Sequence, residues 1–353
     1  MMDVYRSLDR DQIQFDFITL QQNEQYFEKE IESLGGKVIK LHSPRETGIK
    51  NHIKELRECM RQGQYRAVHA HTSYHCGIVM YAAKKEGIPV RIAHARTNGS
   101  IQKDLKTKAY IAFGGALINR YSTDRLAISK QSGDFVFGHA DFELVPNSID
   151  LSLYQDISQE SSMHLQRELN LPDGGVIFGH VGRFDRFKNQ RFIIDIFYEF
   201  QKQNPDSRLV LVGDGELRRE LEQCVEELSI KEKVVFTGVR NDIPVLMKVF
   251  DILIFPSIVE GLGGVVLEAQ AAGTPAVISE NVSETVDVGL GLVKRCSLDE
   301  SITKWIEIIN SSLLTKRPDF NTISCCFDRA GYTLASSVKR YEEIYRGKTA
   351  DER

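Results

Sequence analysis

Two tandem doubly wound α/β domains are what this chain of 353 residues predicts. Three observations carry the expectation. Short β-branched and aromatic runs alternate with helical patterns along nearly the whole length, as parallel α/β units require. That alternation breaks once near the middle, at Val145-Pro146-Asn147-Ser148-Ile149-Asp150, where turn residues cluster as in a linker. With 42% apolar and 27% charged side chains, the chain is able to bury two cores.

In the first half the expected strands are Phe15 to Leu20, Lys37 to Leu41, Ala67 to His71, Val90 to His94 and Arg125 to Ile128. Helical spacing falls between them, from Glu24 to Leu34, Ile49 to Gln62 and Ser73 to Glu86. The chain opens on a helical pattern, Val4 to Leu8, where a doubly wound domain normally opens on a central strand and Gly-rich turn, so the first domain is expected to lack its first strand. After an acidic helical stretch the second half gives strands Val176 to Val181, Arg208 to Val212, Val234 to Phe236, Ile252 to Pro256 and Pro275 to Ile278. The helices between them are Asn189 to Gln203, Glu216 to Leu228, Asp242 to Phe250 and Gly264 to Ala272. The expected division is residues 1–150, 151–330 and a closing segment, 331–353, whose helix near Ser336 to Tyr345 returns to the first domain. Ligands in such folds bind at the carboxyl ends of strands, here expected in the cleft between the domains.

Composition excludes several classes. The longest apolar runs, such as Ile252 to Ile258, stop short of the roughly 18 residues that suggest a membrane span. No basic-then-apolar leader is visible, and the six cysteines show neither C-x-x-C pairs nor metal spacing, so reduced thiols in a cytoplasmic protein are expected. The formal net charge is -4, with 21 Lys+Arg against 18 Asp+Glu up to Asp150 and 24 against 31 beyond it. So mild an asymmetry gives no basic footprint for nucleic acid. No G-x-G-x-x-G follows a strand, which counts against a dinucleotide-dependent oxidoreductase.

Chemistry concentrates in two strand-to-helix loops. From Pro256 to Glu268 the chain leaves a buried strand and enters a helix through Glu260, Gly261, Leu262, Gly263, Gly264 and Val265. Glycines at a helix N-terminus expose amides that attract phosphate. Glu260 and Glu268 would be repelled by that phosphate, and so suit sugar and ribose hydroxyls. The loop Gly182-Arg183-Phe184-Asp185-Arg186-Phe187-Lys188-Asn189 offers two cations, Arg183 and Lys188, able to neutralise a departing diphosphate.

Other features stay open or fall away. Gly213-Asp214-Gly215 suits a tight turn or a nucleotide contact equally. His69 and His71 point to one face of a strand, but no third ligand is evident in the nearby sequence. Asp9-Arg10-Asp11 lies between a helix and a strand start and reads as a turn. From Ser100 to Arg125, Lys103, Lys106, Lys108, Arg120 and Arg125 flank a segment with Tyr110, Phe113 and Tyr121, which suits either a peripheral contact with anionic headgroups or a helix packed in the domain.

Together, Glu260 with Glu268 and Gly261, the run Ala269-Gln270-Ala271-Ala272-Gly273-Thr274-Pro275, Gly182-Arg183 with Lys188, and Gly213-Asp214-Gly215 resemble glycosyltransferase family 4. The pieces Phe15-Asp16-Phe17-Ile18, His69-Ala70-His71-Thr72 and Val145 to Asp150 are similar to its bacterial exopolysaccharide and capsule enzymes. The resemblance implies the GT-B fold of two Rossmann-like domains, metal-independent use of a nucleotide-diphosphate sugar, retention of configuration, and a glycan or lipid-linked acceptor. It implies that Arg183 and Lys188 bind the diphosphate, Glu260 the transferred sugar and Glu268 the ribose. Gly261 through Val265 would offer amides to sugar and phosphates, Gly213 would lie at the nucleotide, Val239 and Arg240 would border the base, and His94 would lie near the donor sugar. No cofactor or metal is implied. A nucleotide-sugar 2-epimerase and a non-catalytic scaffold on the same fold are the alternatives.

Overall fold

The computed structural model describes residues 1–97 and 105–347, which divide into two units: Met1–Pro146 with the chain from Leu334 on, and Asn147–Thr333. Unit 1 runs α1 (Met2–Ser7), β1 (Phe17–Thr19), α2 (Glu28–Ser33), β2 (Val38–Lys40), α3 (Pro44–Gly63) and β3 (Ala67–Ala70). It continues with α4 (Cys76–Lys85), β4 (Val90–Ala95), α5 (Leu105–Tyr121), β5 (Asp124–Ala127), α6 (Lys130–Phe137) and β6 (Glu143–Leu144). Its strands are all parallel and fall into two sheets, β1-β2 and β3-β4-β5-β6, with no described strand hydrogen-bonded between β1 and β3. Helix α3 begins at a capping box, with Ser43 and Glu46 answering each other's free amides, and is interrupted at Gly48, where φ is 80°.

Unit 2 runs α7 (Ser152–Gln155), α8 (Gln159–Glu168), β7 (Ile177–Val181), α9 (Gln190–Gln201), β8 (Arg208–Val212), α10 (Arg218–Glu227), β9 (Val234–Gly238), α11 (Ile243–Val249) and β10 (Ile252–Phe255). Then come α12 (Gly264–Ala271), β11 (Ala276–Ser279), β12 (Val293–Cys296), α13 (Ile302–Leu313) and α14 (Phe320–Arg329). The parallel sheet has the order β12-β11-β10-β7-β8-β9. Its four central strands, β11, β10, β7 and β8, are largely buried, as strands covered on both faces are; all four residues of β10 are fully buried. Phe178, Phe197, Phe200, Ile252 and Trp305 are among its core, and the Trp305 indole donates to the Ser297 carbonyl at 3.0 Å.

The chain enters and leaves unit 2 at one place: Ile149 bridges Thr333 in parallel, and its N–H donates to the Tyr332 carbonyl at 2.8 Å. The last helix, α15 (Leu334–Arg346), buries Tyr341, Ile344 and Tyr345 against Val4, Val90, Ile92 and Leu126 of unit 1. Arg340 of α15 pairs with Glu143 of β6.

Sequence patterning finds most of these elements and shortens some. Helix α5 runs 17 residues, beyond the apolar stretch from Ala109 to Ile118. The first strand, Phe17–Thr19, is half the length that its apolar run suggests.

Candidate active site

The order of the second sheet decides where its loops meet. The chain builds β7, β8 and β9 in one direction, then returns to the other side of β7 with β10, β11 and β12. The reversal falls between β7 and β10, so the loops that leave their carboxyl ends adjoin across a topological switch point. These are the two loops that carry Arg183, Lys188 and Glu260.

Asp185 organises the first of them. Its Oδ1 accepts the N–H groups of Phe187 at 2.9 Å and Lys188 at 3.1 Å, and its Oδ2 accepts Arg183 Nε at 2.8 Å. Burial by itself would raise its pKa, but the hydrogen bonds from Arg183 and the two amides outweigh burial and hold the carboxyl below its ordinary range. Sequence reasoning passed over this residue, and the only signal was an Asp two positions before an amide that a turn must satisfy. Two further residues it missed lie beneath the loop. His180 is fully buried, donates Nδ1–H to the Ile254 carbonyl at 3.0 Å and is pulled by burial to about 4, so the ring is neutral. The Gln190 amide nitrogen contacts His180 Nε2 at 3.2 Å and donates to the Arg183 carbonyl at 2.8 Å.

The two loops are stitched together. The Ile258 N–H donates to the Phe187 carbonyl at 2.8 Å, and Asn189 Nδ2 donates to the Pro256 carbonyl at 3.3 Å. Lys188 Nζ is ion-paired with Glu260 Oε2 and stands 4.8 Å from the Phe255 ring centroid. Glu260 Oε1 accepts the Gly261 N–H at 3.1 Å. Arg183, by contrast, leaves 75% of its side chain exposed.

Gly263 caps α12 in the left-handed region, with φ 89° and ψ 50°, and no side chain caps the helix. The amides of Gly264 and Val265 thus open a helix whose N-terminal partial charge favours an anion. Leu262 is buried beneath them. One turn further on, Glu268 is largely buried, no described residue donates to its carboxylate, and desolvation raises its pKa to about 7.

Gly213 and Gly215 act through packing. A Cβ at Gly213 would lie 2.0 Å from the Gly182 carbonyl oxygen, and one at Gly215 would lie 2.3 Å from that of Phe184. The loops after β7 and β8 therefore approach more closely than any side chain permits, as a tight turn requires. At the end of β9, Val239 is 79% exposed, while the Arg240 guanidinium is engaged by Asp242 and Glu168. This edge therefore presents the exposed Val239 side chain beside a guanidinium already paired with two carboxylates.

In unit 1 the register that sets Ala70 opposite Ala93 brings His71 beside His94. His69, His71 and His94 thus form the trio that sequence reasoning did not find, each offering a nitrogen within 4.8 Å of the others. As arranged, they suit hydrogen bonding better than metal ligation. Arg96 Nε donates to His71 Nδ1 at 2.8 Å, which puts that ring's own proton on Nε2 and leaves no lone pair for a cation. His69 meets the Tyr345 hydroxyl at 2.7 Å and His94 Nδ1 at 3.0 Å. Burial, reinforced by the nearby Arg96, holds all three well below the ordinary histidine range. His94 is fully buried and stacked on His69, with ring planes 4° apart. Asp9-Arg10-Asp11 closes a turn in which Asp9 accepts the Asp11 N–H at 3.1 Å.

Helix α5 contains no acidic residue. Its residues Leu105, Lys108, Ala109, Tyr110, Ala112, Phe113, Ala116 and Arg120 are exposed. Lys103 and Asp104 lie outside the described residues. No helix among the described residues is long and apolar enough to cross a membrane.

Residues 163–309 match the family described as Glycosyl transferases group 1. Over 356 aligned residues, 99% of this chain and 92% of the relative, the chain is 32% identical to a protein of Bacillus subtilis (strain 168) named as the glycosyltransferase EpsF. The UDP-Gal:alpha-D-GlcNAc-diphosphoundecaprenol alpha-1,3-galactosyltransferase of Escherichia coli is 24% identical over 64% of this chain and 60% of its own length. Among solved structures, Anabaena HepE in complex with UDP superposes at a TM-score of 0.79 and 20% identity, covering 98% of this chain and 95% of that one. A glycosyltransferase from Rickettsia africae ESF-5 superposes at 0.80 and 17% identity, covering 98% and 93%. At such identities the structures speak for the fold, which is the GT-B arrangement of two parallel α/β domains.

Proposed function

Because the chain belongs to the group 1 glycosyl transferases, and is thereby a glycosyltransferase, we propose that its second unit holds a nucleotide-diphosphate sugar at the β7/β10 switch point. The observation that carries this reading is the convergence there of Lys188, Arg183, the uncapped start of α12 and the two carboxylates of Glu260 and Glu268. The diphosphate meets Lys188, Arg183 and the amides from Gly261 to Val265. Glu260 accepts hydroxyls of the transferred sugar, Glu268 those of the ribose, and the base lies along Val239. An acceptor hydroxyl attacks the anomeric carbon as the nucleoside diphosphate leaves, with retention of configuration as in family 4. Fixed cations meet the charge on the leaving group as it develops, so positioning and electrostatics supply the catalysis. No divalent ion is needed in this scheme, and turnover should persist in EDTA. For His94 to touch a sugar its cover would have to open; we assign it, with His69 and Tyr345, to holding the face of β3 and β4 in register.

The likeness to EpsF supports a place in exopolysaccharide or capsule assembly, with a glycan or lipid-linked hydroxyl as acceptor. The apolar stripe of α5, flanked by Lys108 and Arg120 and free of acid, suits contact with anionic headgroups, where such an acceptor would reside. The test is nucleoside diphosphate release from a panel of nucleotide sugars, with the sugar product analysed. Release identifies base and sugar; an epimerised donor without transfer would identify the epimerase instead. Loss of release in both Lys188→Ala and Glu260→Ala is expected, and full activity in both would remove the assignment.

A further inference from the structure

The ladder between β7 and β10 runs through Phe178 and Gly179, opposite Ile252 and Leu253, and stops there. The next carbonyl on β10, that of Ile254, accepts the His180 Nδ1–H at 3.0 Å. A carbonyl accepts only from a donor, so the proton of this neutral ring sits on Nδ1 and Nε2 carries a lone pair. The Gln190 amide nitrogen lies 3.2 Å from that Nε2 and 2.8 Å from the Arg183 carbonyl oxygen, and gives one N–H to each. The Arg183 carbonyl also accepts the Asp185 N–H at 2.9 Å, and Asp185 in turn holds the amides of Phe187 and Lys188. An unbroken run of hydrogen bonds thus joins the end of β10 to the loop that carries both cations.

Gln190 is fully buried, and its side-chain oxygen accepts nothing from any described residue. Turning the amide over would set that oxygen against the Arg183 carbonyl oxygen and the His180 lone pair, which would repel it. An apolar side chain of the same size would avoid the unpaired oxygen, so packing alone gives no reason for an amide here. The amide nitrogen gives one. We infer that His180 and Gln190 are positioning residues for the transfer: they fix the Arg183 carbonyl, and through Asp185 the main chain at Lys188, so that both cations stand in place where the diphosphate acquires charge. The inference rests on the donor-site reading above and extends it to two fully buried residues. As the bond to the sugar breaks, the nucleoside diphosphate gains negative charge, so displaced cations weaken the transition state more than the bound donor.

The experiment is steady-state nucleoside diphosphate release by the full chain from UDP-glucose, UDP-galactose, UDP-N-acetylglucosamine and GDP-mannose. It is repeated in variants with whichever donor is turned over, each assayed below its own unfolding transition. Gln190→Met cuts both links of the amide and should lower kcat about tenfold while KM stays within about threefold. His180→Asn keeps a donor for the Ile254 carbonyl but drops the link to Gln190, and should lower kcat about threefold. Because the two residues act in series, the double variant should be no slower than Gln190→Met. Losses that multiply to about thirtyfold in the double variant would mean independent roles and would overturn the series. Wild-type kcat in Gln190→Met would show that the amide only packs, and would overturn the inference. Release from none of the four donors by the wild type would overturn the donor-site reading instead.

Discussion

As the proposed partner of the ribose, Glu268 should make donor binding sensitive to pH in a direction that follows from its surroundings. Burial lifts its carboxyl from the usual 4.5 to about 7. A carboxylate that must accept ribose hydroxyls binds in its ionised form, so donor affinity should follow the ionised fraction. With a pKa of about 7 that fraction falls roughly tenfold from pH 8 to pH 6, or about 1.4 kcal/mol of binding free energy. The same shift acts on stability with the opposite sign. A carboxyl whose folded pKa is raised holds its proton longer in the folded state, so its favourable contribution is full below pH 4.5 and is lost as pH rises through 7. Above neutrality, ionising it in the folded protein costs about 3 kcal/mol. Titration calorimetry with the donor identified by the release panel gives the first quantity, because a nucleotide sugar's pyrophosphate, esterified at both ends, has no ionisation near neutrality. Glu268→Gln should flatten the pH dependence, weaken donor binding at pH 8, and raise the thermal midpoint at that pH. An affinity that does not change between pH 6 and pH 8, together with a Gln variant no more stable than wild type, would refute this account.

Three further outcomes are expected. Gly215→Ala places a methyl 2.3 Å from a backbone oxygen, and should destabilise unit 2 by about 3 kcal/mol as read by chemical denaturation. Asp185→Ala removes three hydrogen bonds from the first loop and should lower stability by about 2 kcal/mol and nucleotide affinity at least tenfold, whereas an unaltered nucleotide affinity would show that the loop holds its shape without it. Acid should weaken unit 1 before unit 2. His52, His69, His71, His75 and His94 in unit 1 have lowered pKa values against His180 alone in unit 2, and each such ring contributes stability that is complete above pH 6.5 and declines as the unfolded chain takes up protons below it. For His75 and His180, both near 4, the loss at pH 5 is about 2 kcal/mol each. Hydrogen exchange at pH 7.5 and pH 5 separates the units, and equal loss in both would count against the histidines.

The second unit is the more legible in sequence because its central strands are buried. Runs such as Ile252-Leu253-Ile254-Phe255 have no other stable setting, and Gly263 and Gly264 mark the turn that follows. Edge strand β12, with Lys294 and Arg295 among its four residues, and the two-residue β6 carry too little apolar signal to be found. Helix α6 hides behind Ser132 and Gly133, although Ser129 caps it through the Ser132 amide. In the site, residue types announced Lys188, Glu260 and Glu268, but Asp185, His180 and Gln190 serve through hydrogen bonds to backbone and to one another, which leave no spacing to read. The histidine trio depends on the register between β3 and β4, and no local pattern specifies that.

The bridge between Ile149 and Thr333 makes unit 2 an insertion whose two ends meet. A module of this kind is defined by a closed outline and needs no free terminus of its own. Its ends could be joined by a short peptide and the ring opened at a distant surface turn, such as that before β8, without separating β7 from β10. By the same logic, unit 2 is a portable cassette, transplantable between hosts at a single seam.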